Sequence, residues 1–472
     1  MRPRPLADRD LRRTFADARP IPFWLDDPRR PAPLDPLRAN VRADLVIVGA
    51  GFTGLWAAIE AKERDPGREV AVVEGGRVGW GASGRNGGFV ASSLTHGLEN
   101  GIRRFPEEIA ELERQGLENF EGLVAAIGRY GIAAELEARP VVLLARRPHE
   151  EDWFEEAAST HRSFGYDAEV LDAEAAQGVL RSPVYRAALR IGGKGHALVN
   201  PARLAWGLRE TALGLGVRIF ERSPVVAIER EGAGVVVRAR SGAVRADRAI
   251  LATNGFPPLL ARIRAWVVPV YDHVLMTEPL SAEQRRAIGW DGREGLSDAA
   301  NRFHYFRLSA DDRILWGGYD ATYHFGGRTA RRFELDDAVH LRLARHFFET
   351  FPQLEGIRFT HRWGGIIDTC SRYSVFFGTA LGGRVAYAVG YTGLGVGATR
   401  FGARTALDLV DGLESERTAL RFVRSKPVPF PPEPLRYLGI RWTIRAYDRL
   451  DATGRRGAWL GLLDRLGLGF QS

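Results

Sequence analysis

Residues 44–74 read DLVIVGAGFTGLWAAIEAKERDPGREVAVVE, and this stretch decides the fold of the chain. Its first apolar run, residues 45–48, has the length and composition of a buried strand. A glycine-rich turn and a helical pattern follow, and a second apolar run at residues 70–73 ends in Glu74. The order of strand, glycine turn, helix and strand predicts a βαβ unit with two parallel strands.

Each glycine of the turn has a separate physical task. Gly49 lets the chain turn sharply off the strand, Gly51 leaves room for a pyrophosphate near the backbone, and Gly54 lets the helix pack closely on the sheet. The helix N-terminus offers free N–H groups and partial positive charge to phosphates. Glu74 lies 20 residues beyond Gly54, where a carboxylate can accept hydrogen bonds from ribose hydroxyls. The stretch therefore predicts a dinucleotide site, and Glu74 disfavours a 2′-phosphorylated ribose.

Length and composition limit the class of protein. A chain of 472 residues is too long for one core and predicts two domains, while 45% hydrophobic and 26% charged residues are typical of a globular enzyme. No apolar run approaches the roughly 20 residues that span a bilayer, and the basic N-terminus lacks the apolar segment of a secretory signal. Cys370 is the only cysteine, which excludes an intrachain disulfide and predicts a cytoplasmic location.

The formal net charge of +8 is compatible with a nucleic acid or a membrane surface as partner. However, only Lys62, Lys194 and Lys426 among the 66 basic residues are lysines, and the arginines are scattered along the chain. We interpret the charge as a compositional bias and expect no nucleic-acid partner. The positive field still favours anionic cofactors and substrates.

The pattern of the remaining chain predicts an α/β fold (α+β overall) built from discontinuous segments. Residues 256–375 alternate aromatic and polar residues, which is typical of an antiparallel sheet with one solvent face. The C-terminal tail mixes aromatic residues with arginine; we expect an arm packed on the chain or on a partner subunit, with a peripheral membrane helix as the alternative. The predicted segments are an N-terminal arm (1–40), a first segment of the dinucleotide-binding domain (41–105), a helical and strand segment mainly of the substrate domain (106–190), a second segment of the dinucleotide-binding domain (191–255), the substrate domain (256–375), a third segment of the dinucleotide-binding domain (376–415) and a C-terminal arm (416–472).

Four motifs in chain order resemble a known family. They are VGAGFTG with Glu74, the loop GASGRNGG at residues 81–88, ATNG at residues 252–255, and GYTGLGVGATRFG at residues 390–402. This order resembles the D-amino acid oxidase-like superfamily of FAD-dependent oxidoreductases, most closely the branch of glycine/sarcosine oxidase and γ-glutamylputrescine oxidoreductase. The resemblance implies a Rossmann-like FAD-binding domain and an antiparallel-sheet substrate domain.

The resemblance also implies which residues bind FAD. Those at the pyrophosphate and adenosine end would be Gly49, Gly51, Phe52, Thr53, Gly54, Glu74, Gly75, Arg77, Val225, Thr253 and Asn254. Those beside the flavin and its ribityl chain would be Ala82, Ser83, Asn86, Gly87 and Gly88, with Gly393, Leu394, Gly395 and Val396 at the pyrimidine edge.

The chain departs from the family pattern at three points. Leu394 stands where relatives often carry a polar residue in GYSGHG. Cys370 lies several positions after the cysteine that binds flavin covalently in some relatives, and His96 is a weak candidate for such a bond, so we expect non-covalent FAD. Some oxidases of this family activate oxygen with a lysine over the flavin. Lys194 is the one lysine near a stretch that could approach the flavin, so the identity of the electron acceptor stays open.

The chemistry that the resemblance implies is oxidation of a C–N bond in an amino acid or amine. A hydride would pass from the carbon to flavin N5, and the imine would hydrolyse in water. Arg307 is the first candidate to anchor a substrate carboxylate, and strand alternation predicts Tyr305 on the same face. Tyr271 and Arg85 are the other candidate catalytic residues.

Other functions stay open at this point. The enzyme could instead oxidise a 2-hydroxy acid or a related C–OH substrate, or the chain could be a non-catalytic or accessory flavoprotein subunit. His273 and His304 are weaker acid–base candidates, and no cluster has metal-ligand spacing. The sequence predicts a small-molecule substrate and sets neither the acceptor nor the oligomeric state.

Overall fold

Two large β-sheets and one small sheet organise the computed structural model, which describes residues 6–468. The strands are β1 (Asn40–Val48), β2 (Val70–Val73), β3 (Phe89–Ala91), β4 (Glu137–Ala138), β5 (Val141–Ala145), β6 (Asp167–Leu171), β7 (Ala187–Gly192), β8 (His196–Leu198), β9 (Arg218–Phe220), β10 (Val225–Glu231), β11 (Gly234–Ala239), β12 (Ala243–Leu251), β13 (Val268–Thr277), β14 (Gly295–Asp298), β15 (His304–Leu308), β16 (Ile314–Gly318), β17 (Thr322–Tyr323), β18 (Phe359–Thr369), β19 (Phe376–Ala380) and β20 (Val385–Val389).

The helices lie on the faces of the large sheets and at the two ends of the chain. They are α1 (Asp8–Thr14), α2 (Phe52–Arg64), α3 (Leu98–Arg104), α4 (Ile109–Arg129), α5 (Pro148–Glu151), α6 (Phe154–Ser163), α7 (Ala173–Val179), α8 (Pro201–Gly214), α9 (Ala282–Ile288), α10 (Asp337–Thr350), α11 (Gly395–Asp411), α12 (Glu416–Ala419), α13 (Arg421–Arg424), α14 (Leu435–Thr453) and α15 (Ala458–Arg465).

The first sheet contains the predicted βαβ unit. Strands β9, β2, β1 and β12 pair in parallel in that order, β20 extends β12 in parallel, and β10, β11 and β19 add antiparallel pairs. Residues 45–48 and 70–73 are buried on both faces, as expected for strands inside a parallel sheet. The predicted mixed α/β fold is confirmed.

Gly54 permits the close contact between α2 and the first sheet. A Cβ atom at Gly54 would stand 1.9 Å from the Gly49 carbonyl oxygen and 3.3 Å from the side chain of Ile47. A glycine is therefore required where α2 crosses the end of β1. The contact fixes the N-terminus of α2 against the strand that precedes it.

The second sheet has nine strands in the order β17, β13, β16, β15, β14, β5, β7 and β6, with β18 on the other edge of β13. Only the pair of β14 and β5 is parallel. The predicted hairpin is present as β15 and β16, and Asp312 in its turn has φ 62°. The expected solvent face is wrong for β13, because α10 packs on one side of this strand and nine of its ten residues are buried.

Sheet membership follows the predicted segments, although the division into domains stays a prediction. Residues 141–192 supply β5, β6 and β7 of the second sheet, and residues 268–369 supply its other strands. The first sheet draws on residues 40–73, 218–251 and 376–389. The third sheet pairs β3 and β8, from two segments of the predicted dinucleotide-binding domain, with β4, which comes from the segment at 106–190 assigned mainly to the substrate domain.

Both terminal arms contact the second sheet or the glycine loop. Helix α1 packs on α10, and the Trp24 indole donates a hydrogen bond to the Asn86 carbonyl at 2.9 Å. At the other end, Asp451 in α14 accepts hydrogen bonds from Asn301 and Arg302. Within residues 6–468, no helix has the length and apolarity needed to cross a membrane.

Candidate active site

A cavity of about 700 Å³ lies between the first and second sheets. Its volume is within the range of about 300–1,000 Å³ that is typical of ligand and cofactor sites. One end is formed by the turn between β1 and α2, and the opposite wall by β13, β14, β15 and β18 of the second sheet. The turn between β20 and α11 borders the space between them.

The β1–α2 turn presents backbone to the cavity. Gly49 has φ 104°, and a Cβ atom there would stand 2.5 Å from the Ala252 carbonyl oxygen. Ser83 Oγ accepts a hydrogen bond from the Phe52 N–H at 2.9 Å, and a Cβ atom on Gly51 would meet this oxygen at 2.9 Å. The turn thus has no room for side chains, while the N-terminus of α2 favours an anion.

Glu74 lines the same end of the cavity. Its carboxylate accepts hydrogen bonds from the N–H groups of Ala50 and Gly76, both at 2.7 Å, and from the Trp80 indole at 2.6 Å. Burial raises the pKa of Glu74, and these three hydrogen bonds act in the opposite direction. The carboxylate thus stands at the end of β2, where a ribose would lie in a dinucleotide site.

A second helix N-terminus borders the cavity at the turn between β20 and α11. Thr392 and Gly393 have φ values of 51° and 97°, so the backbone bends sharply before α11 begins. Asp368 accepts a hydrogen bond from the Gly390 N–H at 2.6 Å, and burial raises its pKa to about 7. Thr53 in α2 donates to the Tyr391 hydroxyl at 2.9 Å, which links the two turns.

The glycine loop contributes Arg85 to the lining. Its guanidinium forms an ion pair with Glu334 at 2.7 Å and donates to the carbonyl oxygens of Trp80 and Gly364. The side chain is 12% exposed. Arg85 is therefore held in place by three partners, with its charge balanced by Glu334.

On the second sheet, Asp272 and Tyr305 face the cavity as a pair. The Tyr305 hydroxyl donates to Asp272 Oδ2 at 2.6 Å, and the His273 N–H donates to Oδ1 at 2.8 Å. Burial raises the pKa of Asp272 to about 6, against the effect of these hydrogen bonds. Burial also raises the pKa of Tyr305, and the Asp272 carboxylate adds to this effect.

Most of the predicted site residues line this one cavity. Tyr305 and Arg85 do so, together with Gly49, Gly51, Phe52, Thr53, Glu74, Gly75, Ala82, Ser83, Asn86, Gly87, Val225, Thr253, Asn254, Gly393, Leu394, Gly395 and Val396. Gly54, Arg77, Gly88, Arg307 and Tyr271 are not in the lining. Arg77 instead bonds to the Pro31 carbonyl and pairs with Glu221.

The position of Arg307 does not fit the predicted anchor for a substrate carboxylate. It is on the same strand face as Tyr305, as predicted, but its guanidinium donates to the carbonyl oxygens of Val199, Gly88 and Leu308. The side chain is buried, and burial lowers its pKa to about 10. Arg307 contacts the glycine loop through the Gly88 carbonyl and lies outside the cavity lining.

Tyr271 is on the wrong side of β13 for the predicted catalytic role. Its hydroxyl accepts from the Ala330 N–H at 2.9 Å, and its ring contacts His324 and Phe333. Successive side chains of a strand alternate between faces, so Asp272 and Val274 face the cavity instead.

The weaker candidates also lie outside the lining, with one exception. Lys194 donates to the Phe164 carbonyl, His304 pairs with buried Asp298, and Cys370 is buried with its thiol near the Ser374 and Gly390 carbonyls. His96 does line the cavity, and burial lowers its pKa to about 4.

Sequence reasoning missed several lining residues, above all Asp272. Trp80, Phe256, Asp368 and Tyr391 were missed as well. Asp272 could have been found from its charge, since it is the one acid in the apolar strand VPVYDHVLMT. Tyr391 lies within the motif at residues 390–402, whereas Trp80, Phe256 and Asp368 lie outside the four motifs.

Comparisons with known proteins agree with this geometry. The family model described as FAD dependent oxidoreductase (DAO) matches residues 44–409. The gamma-glutamylputrescine oxidoreductase of Escherichia coli (strain K12) is 31% identical over 448 residues, which cover 93% of this chain and 96% of that protein. The probable oxidoreductase OrdL of Haemophilus influenzae is 29% identical, with 91% and 96% covered. The crystal structure of glycine oxidase from Geobacillus kaustophilus has the same fold, with a TM-score of 0.69 at 19% identity over 82% of this chain and 99% of that one.

Proposed function

The chain belongs to the DAO family of FAD-dependent oxidoreductases, and we propose that it oxidises the C–N bond of an amino acid or another amine. The observation that carries this proposal is one cavity of about 700 Å³ that joins the glycine turns to a polar pair on the second sheet. A relative covering nearly the whole chain is named for gamma-glutamylputrescine, an amine derivative, which supports an amine as the substrate.

The residues of the cavity fit an adenine dinucleotide. A Cβ atom at Gly49 or Gly51 would fill the space beside the α2 N-terminus, so backbone N–H groups are what a pyrophosphate would meet there. We propose that these residues hold the pyrophosphate, that Glu74 binds the ribose, and that the backbone of Val225 meets the adenine. A 2′-phosphate would stand against the Glu74 carboxylate, which favours FAD over a phosphorylated dinucleotide.

FAD bound in this cavity would supply the acceptor for a hydride from the substrate carbon, and the resulting imine would hydrolyse in water. The turn at Gly393 and Leu394 puts the N-terminus of α11 on the cavity. Such an N-terminus stabilises negative charge, so we propose that residues 393–396 lie against the pyrimidine edge of the flavin. Leu394 provides no polar side chain there, so the backbone N–H groups would stabilise this negative charge alone.

On the substrate side, we propose that Tyr305 and Arg85 border the substrate. The charge of Arg85 is balanced by Glu334, so a substrate carboxylate would have to share this guanidinium. Arg307 supports the glycine loop from behind through its hydrogen bonds to Gly88 and Val199. No protein nucleophile is needed, because positioning the amine beside the cofactor is the main task of the site.

An anaerobic reduction screen tests the proposal. The purified yellow protein is mixed with D- and L-amino acids, N-methyl amino acids and polyamine derivatives, with 2-hydroxy acids in parallel, and the flavin absorbance is followed. We expect an amine to bleach the flavin. Bleaching by a hydroxy acid alone would favour C–OH oxidation, and turnover with neither oxygen nor an artificial acceptor would favour an accessory subunit.

The mode of FAD attachment has its own test. Cys370 is buried and does not line the cavity, which supports non-covalent binding. Acid precipitation of the holoprotein should therefore leave the yellow colour in the supernatant. A yellow pellet would contradict this. The cytoplasmic location inferred from the single cysteine stays a prediction.

A further inference from the structure

Asp272 is a half-buried carboxylate that faces the cavity without a cationic partner. It is the only residue of β13 that is not fully buried, because its side chain borders the cavity. Among residues 6–468, no arginine, lysine or histidine forms an ion pair with it. Its hydrogen bonds come from the Tyr305 hydroxyl and from the His273 N–H group, both of which are neutral donors. A half-buried charge in this state gains strongly from a cation that enters beside it.

The other charged groups of the cavity differ from Asp272 in their partners or in their place along the lining. Arg85 lies against Gly365, the residue paired with Asp272 on β18, but its charge is taken by Glu334. Glu74 is satisfied by three N–H donors at the far end, and Asp368 accepts from Gly390 at the turn before α11. Asp272 is thus the lining carboxylate that stands beside Tyr305, whereas Asp368 stands at the end of β18 beside the turn before α11.

Three glycines leave the space that the Tyr305 ring occupies beside Asp272. A Cβ atom at Gly317 would stand 2.7 Å from the Tyr305 hydroxyl, and one at Gly87 would stand 2.9 Å from the ring on another side. At Gly318, a Cβ atom would come within 3.3 Å of the ring. Side chains at these positions would displace the phenol from the carboxylate. The fold therefore reserves space for this tyrosine, and with it the orientation of the Asp272 oxygens.

We propose that Asp272 selects a cationic amine as the substrate, by pairing with its ammonium group and accepting one proton from it. This inference rests on the proposed amine oxidation and adds the charge state in which the substrate binds. In the step, one N–H bond of the ammonium breaks and an O–H bond forms on Asp272, so an ion pair becomes a neutral amine and a carboxylic acid. The neutral amine is the form from which a hydride can leave the adjacent carbon.

The electrostatic surroundings of Asp272 support this role. Burial raises its pKa to about 6, and a base with a pKa near the working pH is effective in proton transfer. The groups that face it are Tyr305 on β15 and Asp320 beyond β16, whose charge is paired with Arg302 and Arg342. On the side of β18, the nearest charges are the paired Arg85 and Glu334.

The pH dependence of kcat/KM for a bleaching amine tests the proposal in the FAD-loaded enzyme. In the wild-type enzyme, kcat/KM should fall below about pH 6 as Asp272 is protonated. D272N should lower kcat/KM by about 100-fold or more and lose this acidic limb. Y305F removes a hydrogen bond that lowers the pKa of Asp272, so its acidic limb should move to higher pH. The control D311N removes a carboxylate from the exposed turn between β15 and β16, the hairpin that carries Tyr305, and should keep the wild-type pH profile.

A second measurement needs no variant. Tetramethylammonium chloride carries positive charge without an N–H group, and tert-butanol is its neutral counterpart of similar shape. Inhibition by tetramethylammonium should strengthen as pH rises through about 6, while inhibition by tert-butanol should not change. Retention of the acidic limb in FAD-loaded D272N, or pH-independent tetramethylammonium inhibition, would overturn the role of Asp272. If no amine bleaches the wild-type flavin, the proposed function itself fails, and the screen shows this before any variant is made.

Discussion

The substitution G54A tests the cradle on which the proposed FAD site depends. Its Cβ atom would stand 1.9 Å from the Gly49 carbonyl oxygen, whereas ordinary contacts of this kind begin at 3.4 Å. Helix α2 must therefore move by up to about 1.5 Å relative to the end of β1. No rotamer change can relieve the contact, since both atoms belong to the backbone or are fixed to it. The α2 N-terminus then leaves the position where a pyrophosphate would bind.

The expected cost follows from two opposing effects. Overpacking of a tight interior typically destabilises by about 1–3 kcal/mol, and a contact between Cβ and a backbone oxygen belongs at the upper end. Alanine in place of glycine within a helix stabilises the helix by about 1 kcal/mol. We expect a net loss of about 2 kcal/mol in the free energy of unfolding. FAD affinity should fall by about tenfold or more, which corresponds to about 1.4 kcal/mol of binding free energy.

The assay compares G54A with G128A in thermal unfolding and in FAD titration of the apoprotein. Gly128 is an exposed glycine of α4, and a Cβ atom there would have nothing within 4 Å. G128A makes the same chemical change without the contact, so its unfolding temperature should equal or exceed that of the wild type. If G54A binds FAD like the wild type and unfolds at the same temperature as G128A, the close-packing argument is refuted.

Three further substitutions test other features of the site. E74Q replaces a charged acceptor of the Ala50 and Gly76 N–H groups, so FAD should bind more weakly by about tenfold or more in a fluorescence titration; unchanged affinity would count against a ribose site. Y271F should lower the unfolding temperature and leave kcat/KM unchanged, because the hydroxyl bonds to Ala330 outside the cavity; a fall in kcat/KM would restore its catalytic role. Burial raises the pKa of Asp368 to about 7. Asp368 is therefore ionised in the unfolded chain but still protonated in the folded protein between about pH 4 and 7, so the free energy of unfolding falls as the pH rises through this range. D368N should therefore stabilise the apoprotein more at pH 8 than at pH 5 in thermal unfolding, and an equal effect at both pH values would contradict this.

At the nucleotide end of the cavity, sequence reasoning identified residues whose position is fixed by the backbone. Gly49 and Gly54 meet carbonyl oxygens that no side chain could approach, and Glu74 stands at a fixed distance along the βαβ unit. Such requirements are local, so they are visible in a single stretch of sequence. The same logic found the turn at Gly393, where the backbone has a positive φ.

The cavity wall formed by the second sheet was harder to predict because the residues of β13 are buried on both faces. A strand with one solvent face shows which side is buried, but the apolar residues around Tyr271 and Asp272 mark neither side as the cavity. The face of β15 was predicted correctly, yet only Tyr305 reaches the cavity and Arg307 does not. How far a strand extends past a cavity depends on packing between distant segments, which the local pattern does not contain.

The most direct test of the account is a crystal structure of the FAD-loaded protein. It should have the adenosine at Glu74 and Val225, and the isoalloxazine between the N-terminus of α11 and the wall that carries Asp272 and Tyr305. Flavin density outside this cavity, or an isoalloxazine at the Glu74 end, would contradict it.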